Sequence, residues 1–367
     1  MKDIYELLNG MDFDESEFEL MEISEVEKEK VKRGLKKSIK QKNRSSWKKG
    51  AAAAAIFVCL SAGMVGMTFP AYASSIPVIG DLFKFLDTGK TGMYDHYKEF
   101  STELNMREES NGIKVTIQDA VFDGKTVSMT YAIESDKKLA ENLLIEGSPE
   151  ILGSPGMAGS SQVTRIDENH YVGLFRSTNL NQEGADHVNM VWKINSLSLP
   201  NSHTEIKGDW NFAFSLKAAD QKEEVLNLSA KKDGVQVSIT KISQTPMSFS
   251  LFYNQTASRN VRNQWDDVFV ELDVKDNLGN SYSGEGNGGS GKDAYSMSWS
   301  STFEKLDPNA TELIVTPHVQ VRKHTPENHG EAVITADGEK REVPIKQKPG
   351  KVKEDIVLDA MVIPLRD

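Results

Sequence analysis

The chain has 367 residues and a formal net charge of −11, from 43 Lys and Arg against 54 Asp and Glu. That length gives room for about two or three domains. Its one cysteine, Cys59, excludes an internal disulfide scaffold and any zinc site built on cysteine pairs. The acidic excess sits in residues 70–367, with 31 basic against 43 acidic side chains, which argues against nucleic acid as a partner of that part.

Residues 1–49 are split by charge. Up to Glu29 only Lys2 and Lys28 are basic, whereas eleven basic side chains fall between Lys28 and Lys49. Asp3 followed by Glu6 forms a capping pattern ahead of Ile4, Leu7 and Leu8, and Gly10 stops the helix. Met11 to Met21 then alternates carboxylates with apolar residues. A second capping box, Ser24 and Glu27, opens a helix whose apolar positions Val31, Leu35 and Ile39 recur every four residues. A segment this short cannot build its own core and is expected to order on a partner. Ile4, Tyr5, Leu7, Leu8, Met11, Phe13 and Phe18 are the expected contact residues. The plainer alternative is a solvated tether, with the basic half held at anionic lipid headgroups.

Gly50 to Phe69 is an uncharged run of twenty residues. As a helix it spans about 30 Å, the thickness of a bilayer's hydrocarbon core. The basic block before it predicts a cytoplasmic N-terminus and a single pass. A buried core helix would rarely carry such a one-sided basic flank. A cleaved signal peptide stays open as an alternative: Pro70 ends the helix, and Ala71, Tyr72 and Ala73 before Ser74 match a signal-peptidase pattern. Ala71, Ala73 and Ser74 therefore mark a possible cleavage site.

Beyond the apolar run, Ile76 to Leu86 reads as a short helix and residues 94–105 as another. From Asn111 onward the grammar is that of strands: short alternating runs rich in Val, Ile, Thr and aromatics, separated by glycine turns. The pattern repeats. Asn111-Gly-Ile-Lys-Val-Thr-Ile117 is matched by Asp233-Gly-Val-Gln-Val-Ser-Ile239, 122 residues later, and Val127, Met129 and Tyr131 align with Phe249, Leu251 and Tyr253. Each copy runs into a Gly/Ser-rich stretch, Gly147–Ser161 or Gly284–Gly291, both expected as loops. Ile356 to Ile363 is expected as a last strand. Copies of about 120 residues fit β-sandwiches, with a boundary near Ala219–Val225.

No catalytic constellation is legible. Gly286 to Lys292 has the spacing of a phosphate-binding loop, but Asp293 stands where a metal-binding hydroxyl belongs and a strand pattern follows. His318, His324 and His329 lack metal-ligand spacing. Asp266, Asp267, Asp273 and Asp276 read as charges guarding strand edges rather than a calcium loop. Carboxylate pairs that converge only in space leave a wall-acting enzyme as a further alternative.

Asp3-Ile-Tyr-Glu-Leu-Leu-Asn9, the basic helix before the apolar run, and Ala71-Tyr-Ala-Ser-Ser-Ile-Pro-Val-Ile-Gly-Asp81 resemble the single-pass membrane proteins of Gram-positive bacteria described as negative effectors of extracytoplasmic-function sigma factors. The resemblance covers the first 130 residues and, beyond them, the general layout. It implies that the inner segment binds a sigma factor and withholds it until a signal arrives outside. The His/Cys zinc motif of many anti-sigma factors is absent.

The expected architecture is mostly β outside the membrane. A cytoplasmic partner-binding segment (1–49), a transmembrane helix (50–69) and a juxtamembrane helical segment (70–110) precede two tandem antiparallel β-sandwich, Ig-like domains (111–222 and 223–367). The expected function is a non-enzymatic, cofactor-free, anti-sigma-like regulator of the cell membrane. Its expected partners are a sigma factor inside, the lipid bilayer, and an extracellular ligand or wall component, with no nucleic acid. The alternative is a surface-anchored adhesion protein.

Overall fold

A computed structural model describes residues 80–87, 92–139, 142–154, 156–180, 184–199, 204–293, 295–334, 340–344 and 348–365. All lie within one of the two units into which the chain divides, residues 59–367. The seven expected contact residues of the N-terminal segment, the apolar run and the possible cleavage site at Ala71, Ala73 and Ser74 lie outside the described residues. Among the described residues no helix is long and apolar enough to cross a membrane.

The described residues open with two short helices, α1 (Leu82–Asp87) and α2 (Tyr97–Phe100). Nine strands follow: β1 (Thr102–Ser110), β2 (Ile113–Phe122), β3 (Thr126–Ser135), β4 (Leu144–Glu146), β5 (Glu150–Ile151), β6 (Met157–Arg165), β7 (His170–Asn179), β8 (His187–Leu199) and β9 (Thr204–Lys217). The sheet β1-β2-β3-β7-β6 faces a second sheet in which β8 pairs with β4, β5 and β9. Between them lies a core that includes Val115, Ile117, Met129, Tyr131, Trp192, Trp210 and Phe212. β8 alternates buried and exposed residues, as a strand with one wet face should.

The second set begins with β10 (Lys222–Lys232), β11 (Val235–Gln244) and β12 (Ser248–Ala257), then α3 (Arg259–Gln264), β13 (Asp267–Asp276) and β14 (Ser281–Tyr282). It continues through β15 (Gly284–Asp293), β16 (Ser296–Glu304), β17 (Glu312–Arg322), β18 (Glu331–Ile334), β19 (Lys340–Val343), β20 (Lys353–Val357) and β21 (Met361–Pro364). Its five-stranded sheet, β10-β11-β12-β16-β15, packs on β14-β13-β17-β20, with β21 also on β17. A second core, including Val237, Ile239, Phe249, Leu251, Val315 and Val319, fills the space between. The Ser258 hydroxyl caps α3 by accepting from the Val261 amide.

The repeat reaches down to single irregularities. Asn111-Gly112 and Asp233-Gly234 all have positive φ (54°, 74°, 45° and 83°), the left-handed geometry of a tight hairpin turn. Register slips between Glu103 and Met106 in β1 and between Val225 and Leu228 in β10, again 122 residues apart. A second bulge lies between Ile117 and Asp119 in one copy and between Ile239 and Lys241 in the other.

Several expectations are corrected. Only Tyr97–Phe100 of residues 94–105 is helical; Thr102–Ser110 is the edge strand β1, so the first β unit starts within the segment expected to be juxtamembrane helix. The run Gly284–Gly291 is not a loop but edge strand β15, paired with β16. Its glycines admit aromatic rings from the neighbouring strand: a Cβ on Gly284 would meet the Phe303 ring at 2.4 Å, and one on Gly289 the Trp299 ring at 2.3 Å. The other Gly/Ser-rich stretch is likewise strand from Met157 onward. The expected last strand is two, β20 and β21, pairing with different halves of β17. Asp266 and Asp276 do not guard edges. Asp276 is buried and accepts from the Tyr282 hydroxyl (2.8 Å), while Asp266 pairs with Lys348 (2.9 Å).

Candidate functional site at the junction of the two β units

β3 and β7 sit in the middle of the first sheet and are buried on both faces. Their inner residues fill the first core. Their outer residues change character along the strand: Ala132, Val172 and Leu174 at one end, Thr126, Ser128, Arg176 and Thr178 at the other. The apolar end is roofed by α1, α2 and the turn before α2, which bring Leu82, Phe83, Leu86, Tyr94 and Tyr97 into a third core. The Tyr94 and Tyr97 rings meet edge to face at 4.9 Å, and Phe83 lies 5.7 Å from Tyr97. Lys98 of α2 pairs with Asp119 at 2.6 Å, and the Gln162 amide of β6 donates to the Leu86 carbonyl of α1. Asp119 is the residue that the β2 bulge turns toward the helices.

The polar end meets the second unit. Arg176 is buried; its guanidinium donates to the Glu285 carboxylate and, at 2.9 Å, to Asn287 Oδ1, both on β15. Asn287 in turn donates to Thr302 Oγ1, which contacts Ser250 Oγ, each at 2.8 Å. The Tyr94 hydroxyl also donates to Glu285, at 3.1 Å. The turn before α2, the first sheet and the second sheet therefore share one carboxylate. Burial pushes the Tyr94 and Tyr97 hydroxyls well above the usual phenol range, so both stay neutral donors. Burial also raises the Asp123 carboxyl. Gly288, at φ 80°, lies so near β6 that a Cβ would stand 2.5 Å from that of Ala158.

The contact is reciprocal. Met247, at the tip of the β11–β12 hairpin, packs into the third core on the first unit's outer face. Lys125, at the tip of the equivalent β2–β3 hairpin, reaches the second unit's outer face, its Nζ 5.7 Å from the Phe252 ring centre. Lys241 approaches the same ring at 4.3 Å and pairs with Glu223 at 2.5 Å. Burial, and then the charge of Lys241, hold the Lys125 ammonium down at about 8. The space beside these groups is a cavity of about 420 Å³, also lined by Trp299 and Ser298.

A second cavity, about 350 Å³, lies on the β13–β17–β20 sheet beside Glu271, Asp273, His318 and Asp355. Asp355 is paired with Lys353 and Asp273 with Lys275. His318 is thus apart from His324 and His329, whose rings stack with centres 3.6 Å apart beside Asp267. Among the described residues no group of three or more His, Cys, Asp or Glu is arranged to hold a metal ion.

Sequence reasoning missed Arg176, Glu285, Lys125 and Lys241. The available signal was the repeat: aligned at 122 residues, the bulge position carries Asp119 in one copy and Lys241 in the other.

Two family descriptions match. A domain of unknown function (DUF4179) matches residues 42–135, and a family of unknown function (DUF5643) matches residues 221–361. The structure is similar to the crystal structure of the conserved domain protein from Bacillus anthracis, with 44% sequence identity and a TM-score of 0.71. The match covers 79% of this chain and 100% of that one. No curated protein matches the chain.

Proposed function

Given that this chain belongs to the family of the conserved domain protein from Bacillus anthracis, we propose that it is a single-pass membrane regulator whose outer β units read an envelope condition. In this reading its N-terminal segment holds an extracytoplasmic-function sigma factor on the cytoplasmic side. The observation that carries the proposal is the seating of α1 and α2. These helices begin 13 residues after Phe69, the end of the apolar run, and are built into a core shared by both β units. A ligand or force that shifts one unit against the other acts on Tyr94 and Phe83, and through them on the chain leading to the membrane. Two sequence features support the inner half of the proposal: the alternation of apolar side chains and carboxylates in residues 4–18, and the resemblance of residues 3–9 and 71–81. The proposal assigns the chain no catalytic step and no cofactor.

Co-expression of the full chain with a sigma factor encoded beside it is the test. The two should copurify, and replacing Leu8 and Phe13 by Asp should abolish the complex; failure to copurify ends the sigma reading, and a complex that survives both changes ends the assignment of these contact residues. Regulated release is a separate part of the proposal. It predicts an outer fragment beginning at Ser74 under envelope stress, and a chain that stays intact under every such stress removes it.

A further inference from the structure

The outer faces of the two five-stranded sheets are equivalent surfaces with different contents. In the first unit Ala132 and Val172 pair across β3 and β7, Leu174 lies beside them, and all three join the core under the helices. The positions equivalent by repeat and register in the second unit are Asn254, Ser298 and Ser300, on β12 and β16. Ser290 of β15 continues the polar row opposite Ser298. The first face is roofed by the segment that precedes β1. In the second unit no helix stands between β9 and β10, and the cavity of about 420 Å³ lies on the polar face instead.

We infer that this cavity binds a neutral saccharide. Its charges are already matched: Lys241 is paired with Glu223, and Lys125 is buried beside Asp123. A charged ligand would find no free counter-charge there. The uncharged lining, by contrast, has hydrogen-bonding capacity to spare. Ser300 lines the cavity and is only 4% exposed, yet its hydroxyl has no hydrogen-bond partner among the described residues. Asn254 engages its carbonyl oxygen, which accepts from the Ser298 hydroxyl at 2.8 Å. That leaves the Asn254 amide hydrogens to donate and the Ser298 oxygen to accept. Such a mixture suits a polyol, whose hydroxyls each donate and accept. Phe252 and Val225 add an apolar border for the carbon-bound hydrogens of a sugar ring, and Val225 is 84% exposed. A peptide strand would need a free sheet edge, whereas these groups stand on the inner strands β12 and β16. The volume falls in the small-molecule range of about 300–1,000 Å³. The inference rests on the reading that the outer units respond to the envelope, and it gives the class of ligand they bind.

Calorimetric titration of the full chain in an uncharged, sugar-free detergent tests the site, with cellobiose, maltose and N,N′-diacetylchitobiose as probes. Saturable binding of at least one is expected. Asn254→Ala and Ser300→Ala should each weaken it about fivefold, as loss of one neutral hydrogen bond does. Asn254→Asp, which keeps the shape of the side chain and loses its donors, should weaken it as much. Thr256→Ala, on the same sheet face but outside the cavity lining, should leave it unchanged. The site is overturned if none of the three sugars saturates, if the Asn254 and Ser300 variants bind like the original, or if Thr256→Ala weakens binding equally. A chain that sediments as a dimer and binds no sugar would mean that a second copy covers this face, and it overturns the site too. None of these outcomes depends on the cytoplasmic partner: loss of sugar binding leaves the sigma reading standing, and a failed copurification leaves sugar binding standing.

Discussion

At the bulge of the first sheet stands Asp119, held by Lys98 of α2; at the equivalent bulge of the second stands Lys241, held by Glu223 of its own sheet. Both bulges turn a charged side chain to the outer face. One charge docks a helix, and the other borders a cavity. The hairpin tips diverge in the same way, with Met247 entering an apolar core and Lys125 overhanging a ring. The two copies thus share the backbone irregularities and differ in what they present. A bulge is costly to move because every side chain beyond it would change face, whereas the residue it displays is free to vary.

The largest expected effect separates the two outer faces. Phe83→Ala empties the centre of the helix roof and should cost about 3–5 kcal/mol. Chemical denaturation with hydrogen exchange would show β2, β3 and β7 losing protection while β11 and β12 keep theirs. Equal loss in both sheets would mean that the two faces are not independent.

Glu285→Ala strikes the shared carboxylate and leaves the Arg176 guanidinium buried without it. The expected loss is about 3 kcal/mol, the low end for breaking a buried pair, because Glu285 is 37% exposed. A thermal melt measures it, and a loss near zero would show that the junction does not rely on this pair. Gly288→Ala should cost about 1–3 kcal/mol through its contact with Ala158 and its positive φ. Gly286→Ala on the same strand, with nothing within 4 Å of the added Cβ, is the control and should be nearly silent. If the two variants melt alike, close approach of β6 and β15 is not what the glycines serve.

The smallest effects test the repeat itself. Asn111→Ala and Asp233→Ala each force a left-handed residue without a short polar side chain, at about 1 kcal/mol apiece. Asn111 should cost slightly more, since its amide also donates to the Lys207 carbonyl at 2.5 Å. Urea denaturation of the two variants would compare them directly.

Much of each sheet was legible because its determinants are local. Asn111-Gly112 and Asp233-Gly234 call for hairpin turns, and the alternation after them assigns an inner face to Val115 and Ile117 as to Val237 and Ile239. The glycine-rich stretches misled for a physical reason. Gly284 and Gly289 have no strand propensity of their own, and only the rings of Phe303 and Trp299 on the neighbouring strand make their smallness useful.

Sequence by itself determined a β-rich chain, its tandem repeat and the turns that start each copy, because these follow from backbone sterics and from side chains a few residues apart. Only the tertiary structure decided which surfaces are joined. Arg176 and Glu285 are 109 residues apart and Tyr94 and Glu285 are 191 apart, and no local preference encodes either pair. The roof of helices on one sheet and the lysine-lined cavity on the other arise from the same cause. Equivalent outer faces, alike in their strands, acquire different roles only when the folded chain brings different neighbours against them.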